Sequence, residues 1–212
     1  MNLTRGDHVC CLYSTPAELA DTVADFVSDG LARRQQCWYL PSGDELPLIH
    51  SALQRRGVDV ESEIRRGALQ LFAARDAYRV RGSFDAEHAI KMFNDAIDQA
   101  CAKGFTGFRA AADMSWALEH PDATVQLVVY EALLRSLFAN CHAVGLCLYD
   151  RARMPLDVVD GALATHPVLA HRLKYRRNPF YDAAQTQFTA RRPDEVLEKL
   201  RALEDQEDEI PS

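Results

Sequence analysis

Short continuous apolar runs alternate along most of this chain with longer stretches in which apolar residues recur every three or four positions. Runs of the first kind, bounded by turn residues, read as strands buried on both faces. They fall at His8–Tyr13, Gln36–Leu40, Leu69–Ala74, Gly107–Met114 and His142–Asp150. The second kind reads as amphipathic helix. After the first run, Thr15 as N-cap, Pro16 at the first helical position and Glu18 three residues after the cap predict a helix start. Its inward stripe is Leu19, Val23, Phe26, Val27 and Leu31. Pro41–Asp44 turns the second strand into a helix ending near Gly57, and a polar connection through Arg65–Gly67 leads to the third strand. A loop with Tyr78, Gly82 and Phe84 follows. Asp85 then caps a helix with Ile90, Phe93, Ile97 and Cys101 inside and Gly104 as its stop. Residues 122–140 form a further helix striped by Leu127, Val128, Leu134, Leu137 and Phe138.

Strands alternating with helices predict an α/β fold: a three-layer sandwich whose mostly parallel central sheet has helices on both faces, joined by right-handed crossovers. Beyond Asp150 the pattern weakens to a short helix over Val158–Leu163, a break at His166-Pro167 read as a turn device, and an ordered loop at Asn178-Pro179 beside a possible edge strand. A last helix over Asp194–Glu209 carries Val196, Leu200 and Leu203 on one stripe and ends in an acidic run expected to be disordered. The expected division is a domain over residues 1–192 and a C-terminal helix and tail over 193–212. That last stripe reads either as a contact surface or as packed back on the domain.

Composition narrows the function. A net charge of −7 over 212 residues argues against direct nucleic-acid binding, which calls for a basic face. No apolar run is long enough for a membrane span, and the polar start, Met1–Asp7, has no secretory h-region, so a cytoplasmic location is expected. The six cysteines lack C-x-x-C spacing, and Cys37, Cys101, Cys141 and Cys147 read as small buried hydrophobes.

Several separated motifs point to one family. Gly6-Asp7-His8-Val9-Cys10 opens strand one, and Arg109 with Asp113-Met114 and Trp116 occupies strand four. Tyr130-Glu131, Leu146–Asp150, His166-Pro167 and Asn178-Pro179 with Tyr181 follow. Together they resemble MEDS, the methanogen/methylotroph DcmR sensory domain, over about residues 5–182. The resemblance implies a RecA/KaiC-like fold and a sensory module for small hydrocarbon derivatives. It also implies output through a regulatory partner (a kinase, anti-sigma factor or transcription regulator) or through a homo-oligomer. No helix-turn-helix or kinase region accompanies the motifs.

A phosphate-binding loop needs glycines, a lysine and a Ser/Thr, whereas Leu12–Leu19 has no glycine or lysine, and Glu18 would repel an anion at the helix start. ATP is therefore not an expected cofactor, and no cofactor is specified. Candidate ligand residues at the carboxyl ends of the strands are Tyr13, Asp113, Trp116 and Tyr149, where open α/β sheets bind ligands. Trp116 and Asp113 read equally as core aromatic and arginine-paired acid, and Tyr149 reads first as core. Arg109 joins the candidates through the resemblance. His8 and Cys10 share one side of their strand and could meet an ion or cofactor together, with a third ligand from elsewhere, such as His142. His8 reads first as a hydrogen-bonded structural residue, the usual role of a lone histidine at a strand start. It lies at the amino end of its strand, so it is not expected to share a pocket with Trp116. No catalytic spacing stands out, so the expected function is a non-enzymatic sensor of a small organic ligand or cofactor. The alternatives are a degenerate RecA-like scaffold without ligand and, third, a redox or metal sensor using His8 and Cys10.

Overall fold

Gly6, at φ +89°, turns the chain into β1 (His8–Tyr13), a strand buried on both faces. A side chain at that φ would be strained, and the turn lets the Gly6 amide reach the Ala143 carbonyl at 2.9 Å. The computed structural model describes residues 1–80, 83–119, 121–139, 141–182, 198–199 and 201–203. From β1 the chain runs through α1 (Pro16–Ala32), β2 (Gln36–Leu40), α2 (Leu46–Arg55), α3 (Val60–Arg65) and β3 (Leu69–Leu71). It continues through α4 (Ala74–Tyr78), a small hairpin of β4 (Arg79–Val80) and β5 (Ser83–Phe84), α5 (Ala86–Ala102) and β6 (Phe108–Asp113). A 3-10 turn over Met114–Glu119 leads to α6 (Pro121–Ala139), β7 (Ala143–Asp150), α7 (Leu156–Thr165), β8 (Val168–His171) and β9 (Lys174–Arg177).

Seven strands form one sheet in the order β3-β2-β6-β7-β1-β8-β9, parallel throughout except for the β8–β9 hairpin at one edge. Side chains alternate across each strand. The face carrying Val9, Cys11, Val144 and Leu146 packs on α1, α2 and α3, and the face carrying Cys10, Ala110 and Cys147 packs on α5, α6 and α7. This is the expected three-layer α/β sandwich. Leu203, in the short C-terminal helical stretch, lies against the second core, and Arg176 donates to its carbonyl at 3.1 Å. That part of the tail packs back on the domain. Val196 and Leu200 lie outside the described residues, as does the acidic end.

Both expected helix starts are present. Thr15 Oγ1 accepts from the Glu18 amide at 3.2 Å, and Glu18 returns a carboxylate to the Ser14 amide at 2.8 Å. Asp85 caps α5 through the His88 amide at 2.9 Å. The third strand is shorter than its apolar run, because Ala74 already begins α4. The stretch leading to the polar connection at Arg65–Gly67 holds a short helix not expected from the sequence, α3, started by the Asp59 cap on the Ser62 amide. Cys101, expected inside, is exposed at the last turn of α5, while Ile97 and Ala100 face the core.

Gly30 lets α1 pack close against the sheet. A Cβ there would meet Cys37 Sγ at 2.6 Å and Arg109 Cδ at 2.7 Å. Gly30→Ala is therefore expected to destabilise the fold by about 1–3 kcal/mol, less up to about 1 kcal/mol of helix propensity gained over glycine. A urea midpoint unchanged or raised by the substitution would contradict this packing.

Candidate functional site

Two adjacent strands whose following helices go to opposite faces leave a crevice beyond their carboxyl ends. β1 leads into α1 on one face and β7 into α7 on the other, so the sheet opens there. Tyr13 and Asp113, the last residues of β1 and β6, both reach into it from the α1 side. The Tyr13 hydroxyl donates to Asp113 Oδ1 at 3.2 Å, and the Ser115 amide and hydroxyl donate to the same oxygen at 3.1 and 2.9 Å. Ser42 ties the neighbouring loop down by donating to the Asp113 carbonyl at 2.6 Å. The resulting cleft has a volume of about 200 Å³ and is also lined by Glu45, Asp150 and Arg153. Burial, first, pushes the Asp113 carboxyl up to about 6, with Glu45 adding to the rise and the Ser115 and Tyr13 hydrogen bonds opposing it. Burial and the nearby Asp113 push the Tyr13 hydroxyl up as well.

Wider clefts of about 440 and 450 Å³ lie beside the β8–β9 turn and against α5. The smaller crevice is the better candidate because it contains a buried carboxylate with a perturbed proton affinity.

A second constellation lies on the opposite face of the sheet, under α6 and α7. β1 is held between β7 and β8, with His8 opposite Gly145, Cys10 opposite Cys147 and Val9 opposite Val168. That register brings His166, two residues before Val168, back beside His8, with ring centroids 3.9 Å apart. Gly145 leaves room for the Phe138 ring, which sits where a Cβ would be and packs on His8 at 5.5 Å. Glu131 enters from α6. Its Oε2 lies 3.2 Å from His8 Nε2 and 3.3 Å from His166 Nε2, and accepts from Cys147 Sγ at 3.5 Å. Its Oε1 accepts from the Tyr149 hydroxyl at 2.6 Å. His8 Nε2 and Cys147 Sγ are 3.4 Å apart, and all four residues are buried.

The electrostatics of this cluster are asymmetric. Burial alone would push the Glu131 carboxyl up, but His166 and then His8 outweigh it and hold the group ionised, below the usual carboxylate range. Burial and the neighbouring His166 push His8 down to about 4. Burial also pushes the Cys147 thiol and the Tyr149 hydroxyl up, with Glu131 adding to both.

Residues 7–167 match the MEDS family, the MEthanogen/methylotroph, DcmR Sensory domain. The chain belongs to the MEDS family. Two solved structures share the fold of this MEDS protein. An uncharacterised protein of Pyrococcus horikoshii, PH0321, in complex with an unknown peptide, superposes with a TM-score of 0.59 at 14% identity, over 79% of this chain and 78% of that one. The KaiC-like protein PH0186 of Pyrococcus horikoshii OT3 superposes with a TM-score of 0.53 at 10% identity, over 78% and 70%. No curated protein matches this chain. The sheet of this MEDS domain shares its fold with that KaiC-like protein.

The seven residues singled out from the sequence separate into four places. Tyr13 and Asp113 meet in the crevice. His8 and Tyr149 meet around Glu131, with Cys10 buried on the same face of β1 but outside that contact. Trp116 stacks on Tyr78 with centroids 4.6 Å apart, inside the aromatic core beneath α4 and α6. Arg109 goes to the α1 face, where it donates to Gln35 at 2.6 Å, the Phe26 carbonyl at 3.0 Å and Asp29 at 2.5 Å, so it anchors a helix and does not line the crevice. His142 is exposed and contributes nothing to the His8 cluster. The partners His8 does have are Glu131, Cys147 and His166. His166 does sit at the expected break, where α7 ends and the chain turns into β8, and it is also a buried participant in the cluster. A signal for Glu131 was present in the sequence: it sits among Leu127, Tyr130 and Leu134 on the inward stripe of a helix, where a carboxylate must find partners.

Proposed function

We propose that this MEDS domain is a non-enzymatic sensory module of the cytoplasm. It binds a small polar organic molecule in the Tyr13–Asp113–Ser115 crevice and passes occupancy on through contacts with a regulatory protein or a second copy of itself. One observation carries the reading. A sensory-family domain keeps a carboxylate buried at the sheet's switch point, where its raised proton affinity makes it costly to the fold. Such a group stabilises a hydroxyl- or ammonium-bearing ligand by charge-assisted hydrogen bonding. The small cleft suits a hydrocarbon derivative of a few heavy atoms. The α1 start supports a departure from nucleotide chemistry: its N-terminal amides are capped by Thr15 and Glu18, which puts a carboxylate where a phosphate would have to sit. Among the described residues no helix is long and apolar enough to cross a membrane.

Thermal-shift measurements with a panel of short alcohols, diols and amines test this. One chemical class is expected to raise the melting temperature saturably, and Tyr13→Phe is expected to weaken that response about tenfold, as for one lost hydrogen bond of about 1.4 kcal/mol. A flat response across the panel would instead favour a ligand-free scaffold.

A further inference from the structure

The buried cluster on the other face of the sheet is not used by the crevice, and its geometry is more specific than core packing requires. Four donor atoms, His8 Nε2, His166 Nε2, Cys147 Sγ and a Glu131 carboxylate oxygen, lie within 4.8 Å of one another. Bonds from a zinc-class ion to imidazole nitrogen or carboxylate oxygen are about 2.0–2.2 Å and to thiolate about 2.3 Å, so a tetrahedron of such ligands has edges of about 3.3–3.8 Å. Four of the six distances among these atoms are 3.2, 3.3, 3.4 and 3.5 Å, and the two from His166 to His8 and to Cys147 lie within 4.8 Å, so a modest inward shift of His166 completes the tetrahedron. These spacings suit a central ion.

The orientation of the groups adds a second argument. His166 Nδ1 lies 2.7 Å from the Ala162 carbonyl, which only accepts, so that nitrogen carries the proton. In the neutral ring Nε2 then presents a lone pair toward Glu131. That contact is close enough for an ion pair yet not aligned as a hydrogen bond, and Nε2 has no hydrogen-bond partner. Fixing one ring nitrogen on a backbone carbonyl and aiming the other at a shared point is how metal-binding histidines are oriented. Tyr149 orients the carboxylate in the same way by donating to Oε1, leaving Oε2 toward the other three groups. His8 Nδ1 has no such partner, and its ring is held instead between Phe138 and His166.

We propose that His8, Glu131, Cys147 and His166 form a closed binding site for one borderline divalent transition-metal ion of the zinc class. Two imidazoles and a thiol favour such an ion over calcium or magnesium, which take oxygen ligands. Four protein ligands with no exposure leave no open coordination position, so the ion is structural rather than catalytic. It ties α6 and the end of α7 to the two central strands β1 and β7. Binding releases the Cys147 proton to solvent as the thiolate coordinates, so uptake is expected to be linked to proton release. The site shares no residue with the crevice, and either reading stands if the other fails.

Cobalt substitution tests the site without reference to any ligand of the crevice. The full chain, stripped with a chelator and titrated with Co²⁺, is expected to bind one equivalent. It should develop a thiolate-to-cobalt charge-transfer band with the intense visible bands of tetrahedral coordination, both displaced by Zn²⁺. Cys147→Ser, nearly isosteric, is expected to abolish the charge-transfer band and lower affinity at least about tenfold. Cys10→Ser, on the same face but outside the four, is expected to leave both unchanged. Circular dichroism and the melting curve in chelator confirm that each variant is folded. A folded wild type that gives no band and takes up no metal overturns the site. So does a band that survives Cys147→Ser but not Cys10→Ser.

Discussion

Glu131→Ala is expected to lower the unfolding free energy by about 3–5 kcal/mol, the range for removing one partner from a buried ionic network. The carboxylate is fully enclosed and serves four neighbours: the Tyr149 hydroxyl, the Cys147 thiol and the facing nitrogens of His8 and His166. Alanine leaves the Tyr149 hydroxyl without its acceptor and removes one acceptor from the Cys147 thiol in a buried site, and each orphaned polar group costs about 1–3 kcal/mol. The pH dependence has a definite sign. The folded-state proton affinity of Glu131 is depressed below its ordinary value of 4.5, so its contribution is present above that pH and is lost as pH falls. Glu131→Gln, which keeps an acceptor for Tyr149 but not the charge, should therefore lag the wild type fully at neutral pH and converge on it in acid. Urea unfolding in the presence of chelator, from pH 7 down through 4.5, measures both variants. A cost below about 1 kcal/mol for the alanine variant would show that the cluster is incidental to the fold.

Asp113→Asn has the opposite expected effect. The substitution is expected to stabilise the folded chain at pH 7 by up to about 3 kcal/mol, the equivalent of a carboxyl raised from 3.8 to about 6. Here the folded-state affinity for the proton is raised. The group's contribution is thus fully present below pH 3.8 and is lost as pH rises through about 6. Asparagine mimics the protonated form and keeps an Oδ1 acceptor for Tyr13 and Ser115. The gain should vanish below about pH 4. Melting curves at pH 7 and pH 3.5 decide it, and a gain that is absent at pH 7 or persists in acid would contradict the assignment. A residue that weakens the fold at working pH is most simply retained for binding, which is the trade between stability and function.

The layers of this fold were legible because each rests on local chemistry. The Thr15 and Asp85 caps, the both-faces-buried runs at β1, β6 and β7, and the stripe of α5 are written in neighbouring residues. Helix α3 was missed because six residues of Val-Glu-Ser-Glu-Ile-Arg are too short to establish a helical period. The crevice was half legible, since the position of Tyr13 and Asp113 at strand ends follows from the strand boundaries. The His8 cluster was not. His8 and Cys147 are 139 residues apart and meet only because β1 is inserted between β7 and β8, and periodicity does not encode strand order. The i, i+2 rule placed His8 and Cys10 on one side correctly, but the atoms nearest His8 come across the sheet and from the helices above it. Arg109 was legible as a motif residue and not as a helix anchor, because the face it takes depends on the register of β6.

The sensory reading is tested most directly by native mass spectrometry of the freshly purified full chain, before and after incubation with the panel of short alcohols, diols and amines, beside the Asp113→Asn variant. The account predicts one small organic molecule per wild-type chain, co-purified or added, and none on the folded variant. Wild-type chains that carry no organic adduct under any of these conditions, or adducts equal in wild type and variant, would contradict it.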